Sequence, residues 1–435
     1  MKKIYLFGLA AISLASCKSK ITPETPVKGN ADFTTYVSVG NSLTSGYADG
    51  TLYRSGQLNS YPSMLAEQFK MVGGGDFLQP LLPGDAGYPS PKRVLGYSTD
   101  CTGVTALGPV YYSGTMDTAG SSTNIGAQGP FNNVGVPGIR CIDFSIAGYG
   151  FFNPYAKRFY ASPTTERPID EALKKRATFF TLWIGANDVL GYATSGGSGI
   201  VNGYGQSDIS PLSVFTATYN MVVDSMTAHG AKGVLINIPD ITTIPFFTTI
   251  PAKGLVLRQG QADSLSAAYH PVGISFTAGA NYFIIQDTTS PVGFRQMHAG
   301  EYILLTTPQD SLKCAGWGSL KPIPKQYVLS ADEVANVQTA TTNFNQAIAT
   351  AAQAHGLPVV DMNSYIKTLV SGITFNGVNF STTYVTGGAF SLDGVHLTPR
   401  GYALAANYIL LTINNTYKST IPMIDVNKYS GLRFP

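Results

Sequence analysis

Apolar stretches recur along the chain, and each ends in a polar or glycine-rich loop before a segment with helical periodicity. The stretches are TTYVSV before Ser42, ATFFTLWI before GAND, KGVLINI before Pro239 and LPVVDM before Asn363. Short, continuously apolar strands of this kind are typical of a parallel sheet that is buried on both faces. The pattern therefore predicts an α/β fold in which helices cover a parallel sheet.

The segments between these strands carry start and stop signals for helices. One helix is predicted to begin at Ser210-Pro211 and to stop at Gly230. Ser330 and Glu333 have the spacing of a capping box, and a last helix is predicted to begin at Thr398-Pro399. The predicted buried positions are Val334, Val337, Phe344, Ile348 and Ala351 in the helix after the capping box, and Tyr402, Ala405, Ile409 and Ile413 in the last one.

Two regions lack this alternation. Residues 73–163 are rich in Gly, Pro, Ser, Thr and Tyr with little helical period, and they are predicted to form an ordered loop insertion. Residues 241–325 are predicted to form a second insertion, in which NYFIIQD and EYILLT pair as a hairpin. Both insertions follow the predicted carboxyl edge of the sheet, where open α/β folds bind ligands. We therefore expect one domain over residues 34–420, with these two insertions, and a C-terminal extension over residues 421–435.

The start of the chain has the pattern of a secretion signal. Two lysines precede the apolar run IYLFGLAAISL, which is too short to span a bilayer. The sequence Leu14-Ala15-Ser16-Cys17 resembles a bacterial lipobox, so residues 1–17 are interpreted as a lipoprotein signal peptide whose Cys17 becomes lipidated. The alternative is an ordinary signal with a chance cysteine. Residues 18–33 are polar and contain proline, as expected of a tether.

These N-terminal features predict a location. We expect the protein to be held in the bacterial cell envelope by a lipid anchor, with the membrane as a partner through that lipid. The lysine after Cys17, at a position where no aspartate stands, favours the outer membrane. The sequence does not indicate which face of that membrane the protein occupies.

Composition and cysteine content narrow the classes of partner and site. Charged residues form 12% of the chain and its formal net charge is +3, so no basic field indicates a nucleic acid as partner. Cys101, Cys141 and Cys314 remain after lipidation, and an oxidising compartment allows one disulfide among them. Cys101 and Cys141 are the predicted pair because they flank one glycine-rich stretch; three unpaired thiols are the alternative. No cysteine spacing matches a zinc site, and neither metal nor cofactor is expected.

The stretch GNSLTSGY places Ser42 just past a predicted strand, where it is either a turn residue or a nucleophile. A serine hydroxyl needs a base to remove its proton, and the chain offers five histidines. His396 differs from the others because LDGVHLTPRGY places Asp393 three residues before it, ahead of a helix start. One loop can then present both side chains, with the carboxylate holding the imidazole Nδ1–H. A purely structural loop pair is the alternative.

Acyl transfer also needs hydrogen-bond donors directed at the developing oxyanion. In NNVGVPGIR, the N–H of Gly138 has no side chain beside it. In WIGAND, the amide of Asn187 follows a strand and a glycine at the same predicted edge as Ser42. Both are candidate donors, and the alternatives are a turn glycine and residues that only end a strand.

In this order along the chain, GNSLTSGY, NVGVPG, GAND and DGVH resemble the four blocks of the SGNH, or GDSL-type, hydrolases. The resemblance extends from about Tyr36 to Thr412. It implies a three-layer α/β/α sandwich with a central parallel sheet, of the flavodoxin-like kind. The implied roles are nucleophile and oxyanion donor for Ser42, further oxyanion donors for Gly138 and Asn187, general base for His396 and orienting carboxylate for Asp393. Asn41 stands where the family name places an aspartate, which we expect to retune the site without abolishing it.

The resemblance implies hydrolysis of a carboxylic ester through an acyl-serine intermediate, without metal or nucleotide. The substrate would be an acylated glycan, a short-chain ester or a lipid. Two alternatives stay open: a non-catalytic surface lipoprotein that binds glycans on a hydrolase scaffold, and an O-acyltransferase that uses the same residues. Serine, histidine and aspartate are all present, which argues against a non-catalytic protein. An O-acyltransferase would differ from an esterase in how well its cleft excludes water.

Overall fold

The computed structural model describes residues 25–116 and 120–434. The predicted signal peptide, with the lipidation site Cys17, lies outside the described residues, as does the first part of the predicted tether. Within the described part of the chain, none of the helices combines the length and the apolar character that crossing a membrane requires.

The strands form one five-stranded sheet and several two-stranded ones. In chain order the strands are β1 (Tyr36–Gly40), β2 (Arg93–Thr99), β3 (Thr105–Tyr111), β4 (Asn133–Gly135), β5 (Phe179–Trp183), β6 (Lys232–Ile236), β7 (Leu255–Leu257), β8 (Gly279–Asn281), β9 (Ile284–Gln286), β10 (Phe294–Gln296), β11 (Tyr302–Ile303), β12 (Val328–Leu329), β13 (Val359–Val360), β14 (Ile373–Phe375) and β15 (Val378–Phe380). The α-helices are α1 (Ser42–Ser45), α2 (Arg54–Leu58), α3 (Tyr61–Lys70), α4 (Tyr149–Phe152), α5 (Pro154–Phe159), α6 (Pro168–Leu173), α7 (Asn187–Thr194), α8 (Leu212–Thr227), α9 (Pro245–Thr248), α10 (Gln259–Tyr269), α11 (Gln309–Lys313), α12 (Ala331–His355), α13 (Met362–Ser371) and α14 (Pro399–Tyr417).

The central sheet has the strand order β13-β6-β5-β1-β4, and its strands are all parallel. From β1 the chain first adds β4 on one side and then crosses to β5 on the other. This is the flavodoxin-like order, and its topological switch point lies between β1 and β5, where such folds bind ligands. Helices flank the sheet, so the predicted three-layer α/β/α architecture is confirmed.

The helices begin and end close to where their capping signals predict. α8 starts directly after Pro211, and α12 starts after Ser330, whose N–H donates to the Glu333 carboxylate at 2.8 Å. α14 starts after Thr398, whose hydroxyl accepts the Gly401 N–H at 3.0 Å. The apolar positions predicted to face inward in α12 and α14 are buried. The chain beyond α14 also belongs to this core, because Ile421, Ile424 and Val426 are buried.

The two insertions differ from their predicted structures. NYFIIQD and EYILLT do not pair with each other, because β9 pairs with β10 and β11 pairs with β12. Residues 73–163 contain the long β2–β3 hairpin and also supply β4, which pairs in parallel with β1. β4 is three residues long in a stretch of asparagine and glycine, a composition that strands usually avoid.

The disulfide joins Cys101 to Cys314, so the predicted Cys101–Cys141 pair is wrong. Cys101 lies in the exposed turn between β2 and β3, and its Cα is 6.4 Å from that of Cys314. Cys141 is a buried free thiol whose S–H points at the Phe215 carbonyl at 3.7 Å. Pairing depends on proximity in the fold, which spacing along the chain does not show. The bond ties the first insertion to the second across 213 positions.

Candidate active site

Ser42 is the first residue of α1, directly beyond the carboxyl end of β1. Asn41 caps this helix, since its side-chain oxygen accepts the Leu43 N–H at 3.0 Å. α1 packs closely on β4, where a side chain on Gly135 would overlap the backbone of Ser45. The tight strand-to-helix turn therefore fixes the position of the Ser42 hydroxyl at the switch point of the sheet.

The predicted triad is assembled. The Ser42 Oγ and the His396 Nε2 are 2.8 Å apart, although 354 positions separate the two residues in sequence. The His396 Nδ1 lies 2.8 Å from an Asp393 carboxylate oxygen. Serine, imidazole and carboxylate thus form one continuous hydrogen-bonded relay, the arrangement that converts a serine hydroxyl into a nucleophile.

The Asp393 carboxylate is held by many donors. One oxygen accepts the N–H groups of Val395 and His396 and the hydroxyl of Ser391, and the other accepts the Gly50 N–H besides the imidazole. Burial by itself would raise the pKa of Asp393, but the charge of His396 and these hydrogen bonds outweigh it and lower the pKa well below its ordinary value. Asp393 therefore stays ionised and able to stabilise an imidazolium.

A turn after α1 supports the triad from the other side. The Asp49 carboxylate accepts the Leu392 N–H at 3.0 Å and the Tyr53 hydroxyl at 2.6 Å, which ties this turn to the loop of Asp393. The ring of Tyr47 lies 4.6 Å from the imidazole of His396, centre to centre. Burial and the neighbouring Asp393 charge raise the pKa of Tyr47 to about 12, so its hydroxyl stays protonated. None of these supporting residues was predicted, because the contacts that join this turn to the loop of Asp393 span 343 positions.

Asn187 begins α7 at the carboxyl end of β5 and lines the same pocket as Ser42 and His396. Its side-chain nitrogen donates to the Ile139 carbonyl at 2.8 Å, and a primary amide has a second N–H to offer. Gly138 precedes Ile139 and has a φ of 81°, in the left-handed region that glycine adopts without strain. Gly138 does not line the pocket, but its loop is fixed to Asn187 by this hydrogen bond.

Asp188 is the last residue of the GAND stretch, and its side chain is buried at this site. Its carboxylate accepts the Cys141 N–H at 2.6 Å and the Ile142 N–H at 3.4 Å. These bonds attach the loop after Gly138 to the start of α7. Burial raises the pKa of Asp188 to about 7, although the two N–H groups lower it in part.

An apolar pocket opens directly beside the Ser42 hydroxyl. It encloses about 570 Å³ of empty space, including open solvent at its mouth. Most of its wall is hydrocarbon, and the apolar lining residues are Leu43, Trp183, Ala186, Leu190, Pro239, Ile241, Ile244, Ile366, Phe390, Val395 and Leu397. Asp240, beside this wall, caps a short turn by accepting the Thr242 N–H. Within residues 25–116 and 120–434, His, Cys, Asp and Glu form no group suited to holding a metal ion.

A model of GDSL-like lipases and acylhydrolases matches residues 36–409. The chain belongs to this family. A crystal structure of an extracellular lipase from Streptomyces rimosus matches at 14% identity and a TM-score of 0.33, covering 88% of this chain and 98% of that one. A structure described as a GDSL-like lipase from Parabacteroides merdae ATCC 43184 matches at 10% identity and a TM-score of 0.35, covering 89% and 99%. The comparison with curated proteins gives no match.

Membership of the GDSL-like lipase and acylhydrolase family identifies the chain as a serine hydrolase and supports ester hydrolysis in the broad sense. Of the site residues predicted from the sequence, Ser42, His396 and Asp393 lie in one relay, and Asn187 faces the same pocket. Gly138 lies in the adjoining loop. The GDSL-like site is thus built from the ends of β1, β4 and β5 together with the loop before α14.

Proposed function

We propose that the protein hydrolyses carboxylic esters through an acyl-enzyme on Ser42. The observation that carries this proposal is the unbroken relay from Ser42 through His396 to Asp393, with 2.8 Å at each step. A scaffold retained only for binding would have no need for a buried, ionised carboxylate behind the imidazole.

In the first half-reaction, His396 Nε2 takes the proton of Ser42 as its Oγ forms a bond to the acyl carbon. The carbonyl electrons move to oxygen, and the oxyanion is stabilised by donors at this edge of the sheet. Ser42 supplies its N–H, which has no partner inside α1 because it is the first residue of that helix. The Asn187 amide and the Gly138 N–H are the further donors in this proposal.

The tetrahedral intermediate collapses when the bond to the alcohol oxygen breaks. His396 gives its proton to that oxygen, and the alcohol leaves. In the second half-reaction water replaces the alcohol: His396 takes a proton from water, the hydroxide attacks the acyl-serine, and Ser42 is released with its proton restored. The products are an alcohol and a carboxylic acid, and Asp393 remains ionised throughout.

The lining of the apolar pocket favours one class of substrate among those the sequence predicts. Its aliphatic and aromatic wall begins at Leu43, next to the nucleophile, and continues to Ile366 on α13. Burying a methylene there contributes about 0.8 kcal/mol to binding, so each carbon of an acyl chain adds affinity. We therefore propose esters with an extended apolar acyl chain as the substrates, rather than acetyl esters.

We also propose that the enzyme works in the bacterial cell envelope, anchored through Cys17. The Cys101–Cys314 disulfide supports this location, because structural disulfides persist in oxidising compartments. The signal-like start of the chain supports it independently.

Labelling with a fluorophosphonate tests the nucleophile. We expect the wild type and Ser45→Ala to be labelled and Ser42→Ala to remain unlabelled. Ser45 is the matched control because it lies in the same short helix and outside the relay.

A series of p-nitrophenyl esters from acetyl to dodecanoyl then tests the acyl class, with kcat/KM expected to rise with chain length. Labelling of Ser42→Ala would remove Ser42 as the nucleophile, and a wild type that neither reacts nor hydrolyses any ester would favour a non-catalytic scaffold.

A further inference from the structure

A second cavity adjoins the catalytic loop at Leu392 and Asp393. It contains about 1100 Å³ of empty space, open solvent included. The base of the β2–β3 hairpin forms one wall, the second insertion forms another, and Leu392 and Asp393 form the third. Val395 and His396 line the apolar pocket, whereas Leu392 and Asp393 line the second cavity, so both spaces adjoin the same catalytic loop.

The chemistry of the two half-reactions gives this second cavity a use. His396 must protonate the leaving oxygen, so the alcohol half of a bound ester lies on the His396 side of Ser42. The acyl half occupies the apolar pocket. An alcohol half that extends past His396 along the catalytic loop would reach the second cavity, which begins at Leu392 and Asp393.

Arg93 brings a positive charge to this cavity. It begins β2, and its N–H donates to the Asp49 carbonyl at 2.8 Å. A Cβ placed on Gly50 would lie 3.4 Å from the guanidinium, and the Gly50 N–H binds the Asp393 carboxylate. The guanidinium carbon also lies 5.8 Å from the ring centre of Tyr111, its cross-strand neighbour. Arg93 is thus held close to the triad by the hairpin.

This positive charge is free for a ligand. Across the described part of the chain, Arg93 takes part in no ion pair. Asp393 is the other charged residue in the cavity lining, and both of its oxygens are already occupied by the donors described above. A substrate anion in this cavity would therefore meet an unpaired guanidinium, whereas the ionised Asp393 already accepts hydrogen bonds from five donors.

The walls of the cavity are fixed by contacts between the two insertions. Besides the Cys101–Cys314 disulfide, Lys313 and Asp100 form an ion pair at 2.8 Å. The Cys101 N–H donates to Asp310 at 3.2 Å. The hairpin that begins with Arg93 is therefore attached to the second insertion at its tip, so these two walls of the cavity are joined before a substrate arrives, which lowers the cost of binding.

We propose that the second cavity binds the alcohol half of the substrate and that Arg93 pairs with an anionic group on it, a phosphate or a carboxylate. This inference rests on the proposed ester hydrolysis and specifies its substrate. A guanidinium can donate two parallel hydrogen bonds to either anion, which fixes orientation as well as charge. Arg93 is then a specificity residue, which acts on substrate binding rather than on the chemical step.

The test uses octanoyl esters of glycerol, of glycerol 3-phosphate and of glycerate, which share the acyl group and differ in the charge of the alcohol. The wild type should hydrolyse one or both anionic esters with a higher kcat/KM than the neutral ester. The anionic ester with the highest kcat/KM shows whether the cavity binds phosphate or carboxylate. Arg93→Gln should raise KM for the preferred anionic ester by about 10- to 100-fold, the range for a lost charged hydrogen bond. Arg93→Gln should change kcat for the anionic ester, and KM for the neutral glycerol ester, by less than about two-fold. Arg93→Lys should restore part of the lost affinity for the anionic ester.

Lys92→Gln is the matched control. It removes the same charge from the neighbouring position, where the Lys92 ammonium lies over the Tyr53 ring and is not part of the lining of the second cavity. Lys92→Gln should leave kcat and KM for all three esters nearly unchanged. The inference would be overturned if the wild type hydrolysed neutral and anionic esters at equal rates, or if Arg93→Gln lost the same fraction of kcat/KM on all three esters. Either result would leave the proposed ester hydrolysis intact. A wild type inactive on the neutral ester as well would contradict the proposed function instead.

Discussion

Asn41 shows how a departure from the family pattern keeps the local structure. The position needs an oxygen that accepts the Leu43 N–H at the start of α1, and the Asn41 amide oxygen does so at 3.0 Å. Asparagine and aspartate are about equally good helix caps, because capping requires a side-chain oxygen and not a charge. The exchange removes a negative charge beside Ser42 and leaves the turn that presents the hydroxyl unchanged.

Asp188 contributes to the site through structure. It joins α7, which carries Asn187, to the loop after Gly138 by accepting two backbone N–H groups. Its side chain is fully buried, and the raised pKa of about 7 means that the folded protein holds this proton where an unfolded chain has lost it. Stability must therefore depend on pH through this residue.

We predict that the Asp188 contribution to the free energy of unfolding falls as pH rises from about 5 to 7. In this range the folded state binds up to one proton more than the unfolded state at Asp188. The free energy of unfolding therefore decreases with pH, by up to about 1.4 kcal/mol per pH unit. Asp188→Asn keeps an acceptor oxygen for the two N–H groups and removes the titration. Urea unfolding at pH 5, 6 and 7 should show a less negative slope in the variant than in the wild type.

The control for this measurement is Asp263→Asn, which changes an exposed carboxylate on α10. Its stability should follow the wild-type pH dependence. Identical slopes for the wild type and Asp188→Asn would show that the Asp188 carboxyl is ionised in the folded protein at pH 5, contrary to the effect of its burial.

At the scale of elements, the sequence predicts those whose signals are local. The apolar runs of β1, β5, β6 and β13, the cap before α12 and the cap before α14 are each contained in a few neighbouring residues, and the structure has them at these places. β4 was missed because a three-residue strand of Asn133, Val134 and Gly135 gives almost no apolar period. It becomes a strand because β1 offers it an edge in the folded protein.

The residues of the relay were predictable because they lie in short motifs, whereas the residues that support them were not. Ser42, Asp393 and His396 occur in characteristic stretches of the sequence. Gly50, Asp49 and the Cys101–Cys314 pair depend on contacts between distant parts of the chain. Local patterns carry no information on such contacts, so the disulfide was assigned to the wrong partner.

The β2–β3 hairpin leads to a prediction about stability. Replacing both bridged cysteines, Cys101→Ser with Cys314→Ser, should lower the free energy of unfolding by about 2–5 kcal/mol, because the reduced chain regains the freedom that this long loop closure removes. Urea unfolding of the variant and the wild type measures the difference. Dithiothreitol should destabilise the wild type and leave the variant unchanged. A variant as stable as the oxidised wild type would show that the ion pair of Lys313 and Asp100 holds the hairpin without the bond.

The apolar pocket is a property of the whole molecule. Leu43 follows β1, Leu190 lies on α7, Ile241 follows β6 and Ile366 lies on α13, so the wall gathers residues from most of the length of the chain. No local pattern marks these positions as a group. They meet because each follows, in the chain, one of the parallel strands whose carboxyl ends share one edge of the sheet.

Narrowing this pocket should shorten the preferred acyl chain. Leu190 is partly exposed and lines the pocket, so Leu190→Trp adds bulk there without disturbing a packed core. We expect kcat/KM for decanoyl p-nitrophenyl ester to fall by about ten-fold or more, since two buried methylenes already account for about 1.6 kcal/mol, and we expect the acetyl ester to change little. Leu411→Trp, at an exposed position on α14, is the matched control and should keep the wild-type chain-length profile. A uniform loss on every ester in Leu190→Trp would mean that the acyl chain binds elsewhere.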